Sequence, residues 1–163
     1  MTIRRDPPAP PAAPPGNRGR LGLHMTAAAA EGKLALQRCE DCGTAQYPPR
    51  EVCGQCLSPQ LVWKNHKHVA GELLGRTRIH HSNEEYFKRF LPLEVGLVHL
   101  EVGPTAVCFL REGCVPGQQV MVSAQLDASG QAVLVATPSA VRTIGRSAAL
   151  STSQAAKEKK HAA

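Results

Sequence analysis

The sequence predicts a mainly β protein that consists of an N-terminal helix, a four-cysteine zinc ribbon and a five-stranded barrel. Two observations lead to this prediction. Four of the six cysteines stand in two Cys-x-x-Cys pairs, the spacing of a metal site. After them come short apolar runs, separated by Gly and Pro, with the period of two that marks half-buried strands. With 163 residues, the chain has room for one ordinary domain, or for two small ones with tails.

The formal charge of +6 is concentrated at the two ends of the chain. Residues 1–24 carry +3 from four arginines and one aspartate, and residues 142–163 carry +4 from five basic residues and one glutamate. The segment between them has ten basic and eleven acidic residues. The Pro/Ala-rich run Pro7–Pro15 favours extended, solvated chain. We therefore predict a disordered basic tail over 1–24 and a basic C-terminal tail over 141–163.

The part between the tails divides into three segments. Residues 25–36 are predicted to form a leading helix and a strand, because Met25–Gly32 is rich in helix formers and ends on a glycine that is suited to cap the helix. Residues 37–66 are predicted to form the zinc ribbon. Residues 67–140 are predicted to form the barrel.

The strongest motif is the C-x₂-C-x₁₀-C-x₂-C pattern of Cys39, Cys42, Cys53 and Cys56. Four thiolates close a tetrahedral site with no open position, so we predict one structural zinc ion. Iron uses the same four ligands in rubredoxin-like sites and is the alternative metal. Two disulfides are disfavoured, because no secretory signal precedes the motif and reducing compartments disfavour disulfides.

The two other cysteines lie in the barrel segment. Cys108 stands in the apolar run Thr105–Leu110 and has no basic neighbour in the sequence, so we predict a buried core thiol. Cys114 follows in a turn that contains glycine, and the sequence leaves its role open.

Five strand-like runs follow the ribbon. The run Gln119–Asp127 alternates most cleanly, with Val120 and Val122 on one face and polar residues on the other. Five strands with short turns suit a closed OB-fold barrel, because closure removes exposed strand edges. The other predicted strands are Val69–His81, Leu93–Val102, Thr105–Arg111 and Gln131–Thr137.

One long connection, Ser82–Leu91, separates the first two barrel strands. It contains three of the six aromatic residues together with charges. Aromatic residues in such a loop often mark a contact surface. The alternative is a loop that packs on its own barrel. The aromatic and basic residues concerned are Tyr86, Phe87, Arg89 and Phe90.

No catalytic constellation is present in the sequence. It contains no phosphate-binding loop and no Gly-x-Ser-x-Gly elbow. His99 lies in an apolar run and is predicted to be a hydrogen-bonded core histidine. The remaining polar candidates are predicted to be solvated surface residues: His66, His68, His80, His81 and Glu84.

Several of these segments resemble the acyl-CoA-associated family that joins a rubredoxin-like zinc ribbon to an OB-fold, long known as domain of unknown function thirty-five. The similar segments cover about residues 25–140, and Tyr47-Pro-Pro-Arg50 is the most specific of them beside the cysteine pairs. The others are Glu31–Gly43, Val52-Cys53, Leu97–Pro104 and Val115–Val120. Members include the small subunits of benzoylsuccinyl-CoA thiolase and of sterol side-chain aldolases.

The resemblance implies a small non-catalytic partner of a thiolase-fold subunit, which would hold the catalytic residues and form a hetero-oligomer such as two plus two. The expected roles are to stabilise that subunit and to share in binding CoA or acyl-CoA. Arg38 and Arg50, beside the ribbon, are the candidate CoA-phosphate ligands, with solvated or structural arginines as the alternative. Tyr47, with the loop residues of Ser82–Leu91, is the candidate partner interface.

Two rival functions follow from the same segments. A single-stranded nucleic-acid binder needs stacking aromatics and a positive groove, but the strand runs contain only Phe109 and the segment between the tails carries no excess of positive charge. A free electron carrier needs iron in the four-cysteine site. We therefore expect no nucleic-acid partner and no membrane partner, and we expect a cytoplasmic protein.

Overall fold

The computed structural model describes residues 13–14 and 19–139. These residues contain two helices, α1 (Arg20–Ala30) and α2 (Glu85–Lys88). The strands are β1 (Leu34–Cys39), β2 (Ala45–Gln46), β3 (Leu61–His66), β4 (Val69–Ile79), β5 (Leu93–Leu100), β6 (Thr105–Leu110), β7 (Gln119–Leu126) and β8 (Ala132–Pro138). The predicted C-terminal tail and most of the predicted N-terminal tail lie outside the described residues. Neither helix of the described part is long and apolar enough to span a membrane.

Helix α1 begins at Arg20, five residues earlier than the predicted helix. The earlier start follows from packing, because Leu21 continues the helical face on which Met25, Ala28 and Ala29 are buried. That face contacts β1, β7 and β8 and therefore ties the ribbon to the barrel. The glycine cap is confirmed: Gly32 has a φ of 71° and its N–H donates to the carbonyl of Ala29 at 2.9 Å.

The ribbon is a three-stranded antiparallel sheet in the order β2-β1-β3. In its central strand, Leu34 and Leu36 belong to the same hydrophobic core as the barrel residues. The opposite face of β1 carries Gln37 and Cys39. One side of the sheet is thus anchored in the core, and the other leads to the metal ligands.

The five remaining strands close into a barrel in the order β4-β5-β6-β8-β7. Pairing of β4 with β7 completes the closure, and β6 and β8 form the one parallel pair of the described barrel. This order is that of a five-stranded OB-fold. The predicted fold, with its leading helix, zinc ribbon and OB barrel, is therefore confirmed.

Alternation along the strands decides which side chains fill the barrel. In β7, Val120 and Val122 are buried as predicted, and Ala124 is buried on the same face, whereas Leu126, at the strand end, is 44% exposed. Cys108 is buried, as predicted for a core thiol, and the open case of Cys114 is resolved as a second buried thiol.

The prediction for His99 is wrong. Val98 and Leu100 point into the barrel, so His99 between them points outward and is exposed. Its Nδ1 lies 3.2 Å from the hydroxyl oxygen of Thr105 on the neighbouring strand. The sequence was misleading because β5 is apolar on its outer face too, where Leu97 is 43% exposed.

Candidate metal centre

The first cysteine pair lies in a tight turn that directs both sulfurs to one point. The N–H of Gly43 donates to the carbonyl of Cys39 at 3.0 Å, and the N–H of Cys39 donates to the carbonyl of Thr44 at 2.9 Å. Gly43 has a φ of 74°, which glycine adopts at no steric cost. The turn thus favours a glycine directly after the pair.

The second pair repeats this turn. The N–H of Leu57 donates to the carbonyl of Cys53 at 3.0 Å, and the N–H of Cys53 donates to the carbonyl of Ser58 at 2.8 Å. Leu57 takes the place of the glycine with a φ of 62°, a conformation that costs a branched side chain free energy. Its side chain is 74% exposed, so packing does not explain this choice of residue.

The four cysteines form one cluster with the geometry of a tetrahedral zinc site. All four sulfurs lie within 4.8 Å of one another. The Sγ atoms of Cys39 and Cys56 are 3.6 Å apart, as are those of Cys42 and Cys53. Bonds of about 2.3 Å around a tetrahedral zinc ion require sulfurs about 3.8 Å apart. The residues therefore fit a single zinc ion with no open position, which is a structural site.

The environment of the sulfurs differs between the pairs. Hydrogen bonds from the Thr44 side chain and backbone lower the pKa of Cys42 to about 6. The Ser58 backbone lowers the pKa of Cys56, but the neighbouring cysteines, Cys42 above all, and desolvation outweigh it and raise that pKa to about 12. Four adjacent thiols cannot all ionise without a cation between them, and a bound zinc ion supplies that charge.

Gln37 holds the ribbon together from inside and was not singled out by the sequence analysis. It is 4% exposed, and its Oε1 accepts hydrogen bonds from the backbone N–H of Arg50 at 2.7 Å and from Nε2 of Gln46 at 2.9 Å. Gln46 in turn accepts a hydrogen bond from the N–H of Gly54, inside the second cysteine pair. The signal in the sequence that could have indicated this buried role is a glutamine within the apolar run of β1.

The structure does not bring the two candidate CoA-binding arginines together. Arg50 lines a cavity of about 360 Å³ with Gln37 and Trp63. Arg38 lines a separate cavity of about 280 Å³, and its Nε donates to the carbonyl of Gly43 at 3.1 Å. Gln37 and Trp63, which line the cavity of Arg50, are partners across β1 and β3 and share one face of the sheet. Arg38 follows Gln37 in β1, so its side chain points to the opposite face.

The four loop candidates for a partner interface do lie together. The rings of Phe87 and Phe90 are each centred 5.1 Å from that of Tyr86, and the Arg89 guanidinium lies 4.6 Å from the centre of the Tyr86 ring. Helix α2 contains no buried residue, and Phe90 is 49% exposed. Tyr47 is elsewhere: it is half-buried and packs against the hydrophobic core.

The burial of the two barrel thiols, Cys108 and Cys114, predicts that both react slowly with thiol reagents. Burial raises the pKa of Cys108 to about 12, and burial also raises the pKa of Cys114. The reactive thiolate is therefore suppressed at both positions. In the zinc-loaded protein at pH 8, we expect no thiol to react rapidly with a disulfide reagent such as DTNB.

The control for this prediction is the same protein in denaturant with a chelator, where all six cysteines are expected to react. One fast-reacting equivalent in the native, zinc-loaded protein would contradict the prediction.

A closed four-thiolate ribbon joined to an OB barrel defines the class of protein: a zinc-ribbon OB-fold protein. Residues 26–62 match the family model described as ChsH2, rubredoxin-like zinc ribbon domain. No curated protein matches this chain. The predicted resemblance is confirmed by this match and by two solved structures of the same fold.

The first of these structures is described as an Ltp2-ChsH2(DUF35) aldolase. It is similar to this chain with a TM-score of 0.62 and 24% identity, over 77% of this chain and 98% of that one. The second is a DUF35 family protein of unknown function from Sulfolobus solfataricus, with a TM-score of 0.50 and 18% identity, over 74% of this chain and 87% of that one.

Proposed function

We propose that this chain is the non-catalytic, zinc-binding subunit of a thiolase-type complex that makes or cleaves C–C bonds in acyl-CoA substrates. The ChsH2-type ribbon and the likeness to the chain of an Ltp2-ChsH2 aldolase support an accessory subunit of this kind. The closed zinc site has no open position for substrate. The role proposed for the chain is to stabilise a thiolase-fold catalytic subunit in a cytoplasmic hetero-oligomer such as two plus two.

One observation supports this proposal most: part of the outer face of β4, β5 and β6 is an exposed apolar patch. Leu97 and Val107 are direct partners across β5 and β6, and they are 43% and 62% exposed. Leu74, at the irregularity in β4, is 51% exposed. Neighbouring exposed apolar residues on a sheet are typical of a surface that a partner covers.

The aromatic cluster of the loop extends this apolar surface. The loop leaves the barrel after Ile79 and returns at Leu93, which are paired at the end of β4 and β5. Ile79 is 37% exposed and Phe90 is 49% exposed. Apolar strand residues at the centre and Tyr, Phe and Arg at one end are the composition of a protein interface.

The same face argues against the nucleic-acid alternative. In OB-folds, oligonucleotides bind across the second and third strands, which are β5 and β6 here. Single strands require stacking aromatics and cations on that surface. The outward positions of these two strands hold one aromatic residue, Phe109, and no Lys or Arg.

The interface is tested by co-expression with a candidate thiolase-fold subunit from the same organism. We expect the two chains to co-elute in size-exclusion chromatography with light scattering. Val107→Glu places a charge in the centre of the apolar face and is expected to weaken the complex by about 100-fold, because a desolvated, unpaired charge costs several kcal/mol.

Gln125→Glu is the matched control, since it adds the same charge at an exposed position of β7 outside this face. It is expected to bind like the unmodified chain. Equal binding by Val107→Glu would contradict this interface, and separate elution of the two unmodified chains would contradict the proposed function.

A further inference from the structure

A cleft on the core-anchored side of the ribbon sheet has basic but no acidic side chains among its described lining residues. Its volume is about 280 Å³, and its charged or titratable lining residues are Arg38, Lys64 and His66. Val102, from the turn that follows β5, also lines it. None of the described residues that line it is acidic.

The strand register brings these three side chains to one face. Lys64 is paired with Leu36, and His66 is paired with Leu34, across β1 and β3. Residues two apart in a strand share a face, so Arg38 lies on the same face as Leu36. Diagonal neighbours across a pair of strands are about 7–8 Å apart, within reach of long side chains.

The side chains of Arg38, Lys64 and His66 differ in their contacts and in their exposure. Arg38 is oriented by its Nε hydrogen bond to the carbonyl of Gly43, at the end of the first cysteine turn. Lys64 is exposed and His66 is half-buried. Among the described residues, neither Lys64 nor His66 makes an ion pair. The cleft therefore presents N–H donors and positive charge that form no salt bridge with a carboxylate of the described residues.

We propose that this cleft binds the phosphate oxygens of a small molecule that carries a diphosphate or a phosphate monoester. A guanidinium and an ammonium group on one face supply charge-assisted hydrogen bonds to phosphate, and imidazole adds a further N–H donor. Lys64 and His66 thus join Arg38 in the site, and Arg50 does not. The inference rests on the proposed function for one point only, that CoA is a candidate source of the phosphate.

The site is tested on the isolated, zinc-loaded full chain by titration calorimetry with inorganic pyrophosphate and with CoA. Lys64→Gln removes one charge from an exposed side chain without an ion pair and is expected to weaken binding about ten-fold. Arg38→Gln should weaken it at least as much. Zinc content and thermal unfolding verify that each variant is folded.

Two matched controls separate this cleft from general charge effects. Arg50→Gln, on the other face of the sheet, and Lys67→Gln, beyond the end of β3, remove the same charge and are expected to leave binding unchanged. If CoA binds more tightly than pyrophosphate, CoA supplies the phosphate; if both bind equally, a free diphosphate suffices. Both results support the cleft.

Three results would overturn the proposal. The first is that neither pyrophosphate nor CoA binds at millimolar concentration. The second is that Arg50→Gln weakens binding as much as Lys64→Gln does. The third is that a single-stranded oligonucleotide binds more tightly than CoA and that its binding depends on Lys64. None of them bears on the proposed complex, which is measured separately by co-elution. A complex that forms without phosphate binding would reject this cleft alone.

Discussion

Replacing Cys53 by serine is expected to abolish zinc binding and to unfold the ribbon. Cys53 is completely buried, and its sulfur lies 3.6 Å from that of Cys42. A serine hydroxyl does not replace a thiolate in a closed four-sulfur site, and structural zinc contributes about 10–16 kcal/mol to the folding of small zinc domains. We expect zinc content to fall from one equivalent to nearly none, as measured by elemental analysis.

The loss should extend beyond the ribbon. Leu34 and Leu36 of β1 belong to the shared core, so the free energy of unfolding of the whole chain should fall by at least about 3 kcal/mol. Denaturant unfolding followed by circular dichroism measures this change. A Cys53→Ser protein that keeps one zinc and unfolds like the parent would contradict the four-thiolate site.

Leu57→Gly is the matched control in the same turn. Glycine adopts the φ of 62° at this position without steric cost, and the Leu57 side chain makes little packing contact because it is 74% exposed. The variant should keep its zinc and gain up to about 1 kcal/mol of stability. A loss of zinc here would show that the turn depends on the leucine side chain.

Replacing Gly71 by alanine is expected to destabilise the barrel by about 2–3 kcal/mol. Gly71 is buried in β4 and is paired on both sides, with Leu100 of β5 and Val120 of β7. A Cβ atom there would lie 2.6 Å from the carbonyl oxygen of His99 and 2.8 Å from Cγ1 of Val98. Because the first of these atoms is backbone, relief requires β4 and β5 to move apart at this position.

Gly75→Ala is the control, four residues further along the same strand. A Cβ atom at Gly75 would meet nothing within 4 Å, and its φ is not in the left-handed region. The stability of this variant should stay within about 0.5 kcal/mol of the parent or rise slightly. Urea unfolding of both zinc-loaded variants tests the pair, and equal midpoints would contradict the proposed steric cause.

Short-range patterns predicted most of the fold and the metal ligands. Two Cys-x-x-Cys pairs bring four thiolates together wherever the chain lets the two turns meet, and the structure confirms that Cys39, Cys42, Cys53 and Cys56 form one cluster. Period-two runs with Gly and Pro turns predicted five strands, because closed barrels alternate inward and outward residues. Helix α1 started earlier than predicted because its first turn is stabilised by packing.

The side-chain positions that the sequence did not predict have a common cause. His99 was expected in the core because its strand is apolar, but the strand is apolar on its outer face too. Arg38 and Arg50 were grouped by their nearness to the ribbon, and the sheet separates them into two cavities. Tyr47 was grouped with the loop aromatics but packs on the core. Side-chain direction depends on register, and register depends on partners that are distant in the sequence.

The sequence by itself determined the ribbon, its four ligands and the number of barrel strands, since each of these follows from local spacing. Only the tertiary structure decided which surfaces those elements present. The pairing of β1 with β3 gathers Arg38, Lys64 and His66 into one cleft, and the pairing of β5 with β6 places Leu97 beside Val107 on an exposed face. Both surfaces combine residues from different strands, so no local pattern in the sequence encodes them.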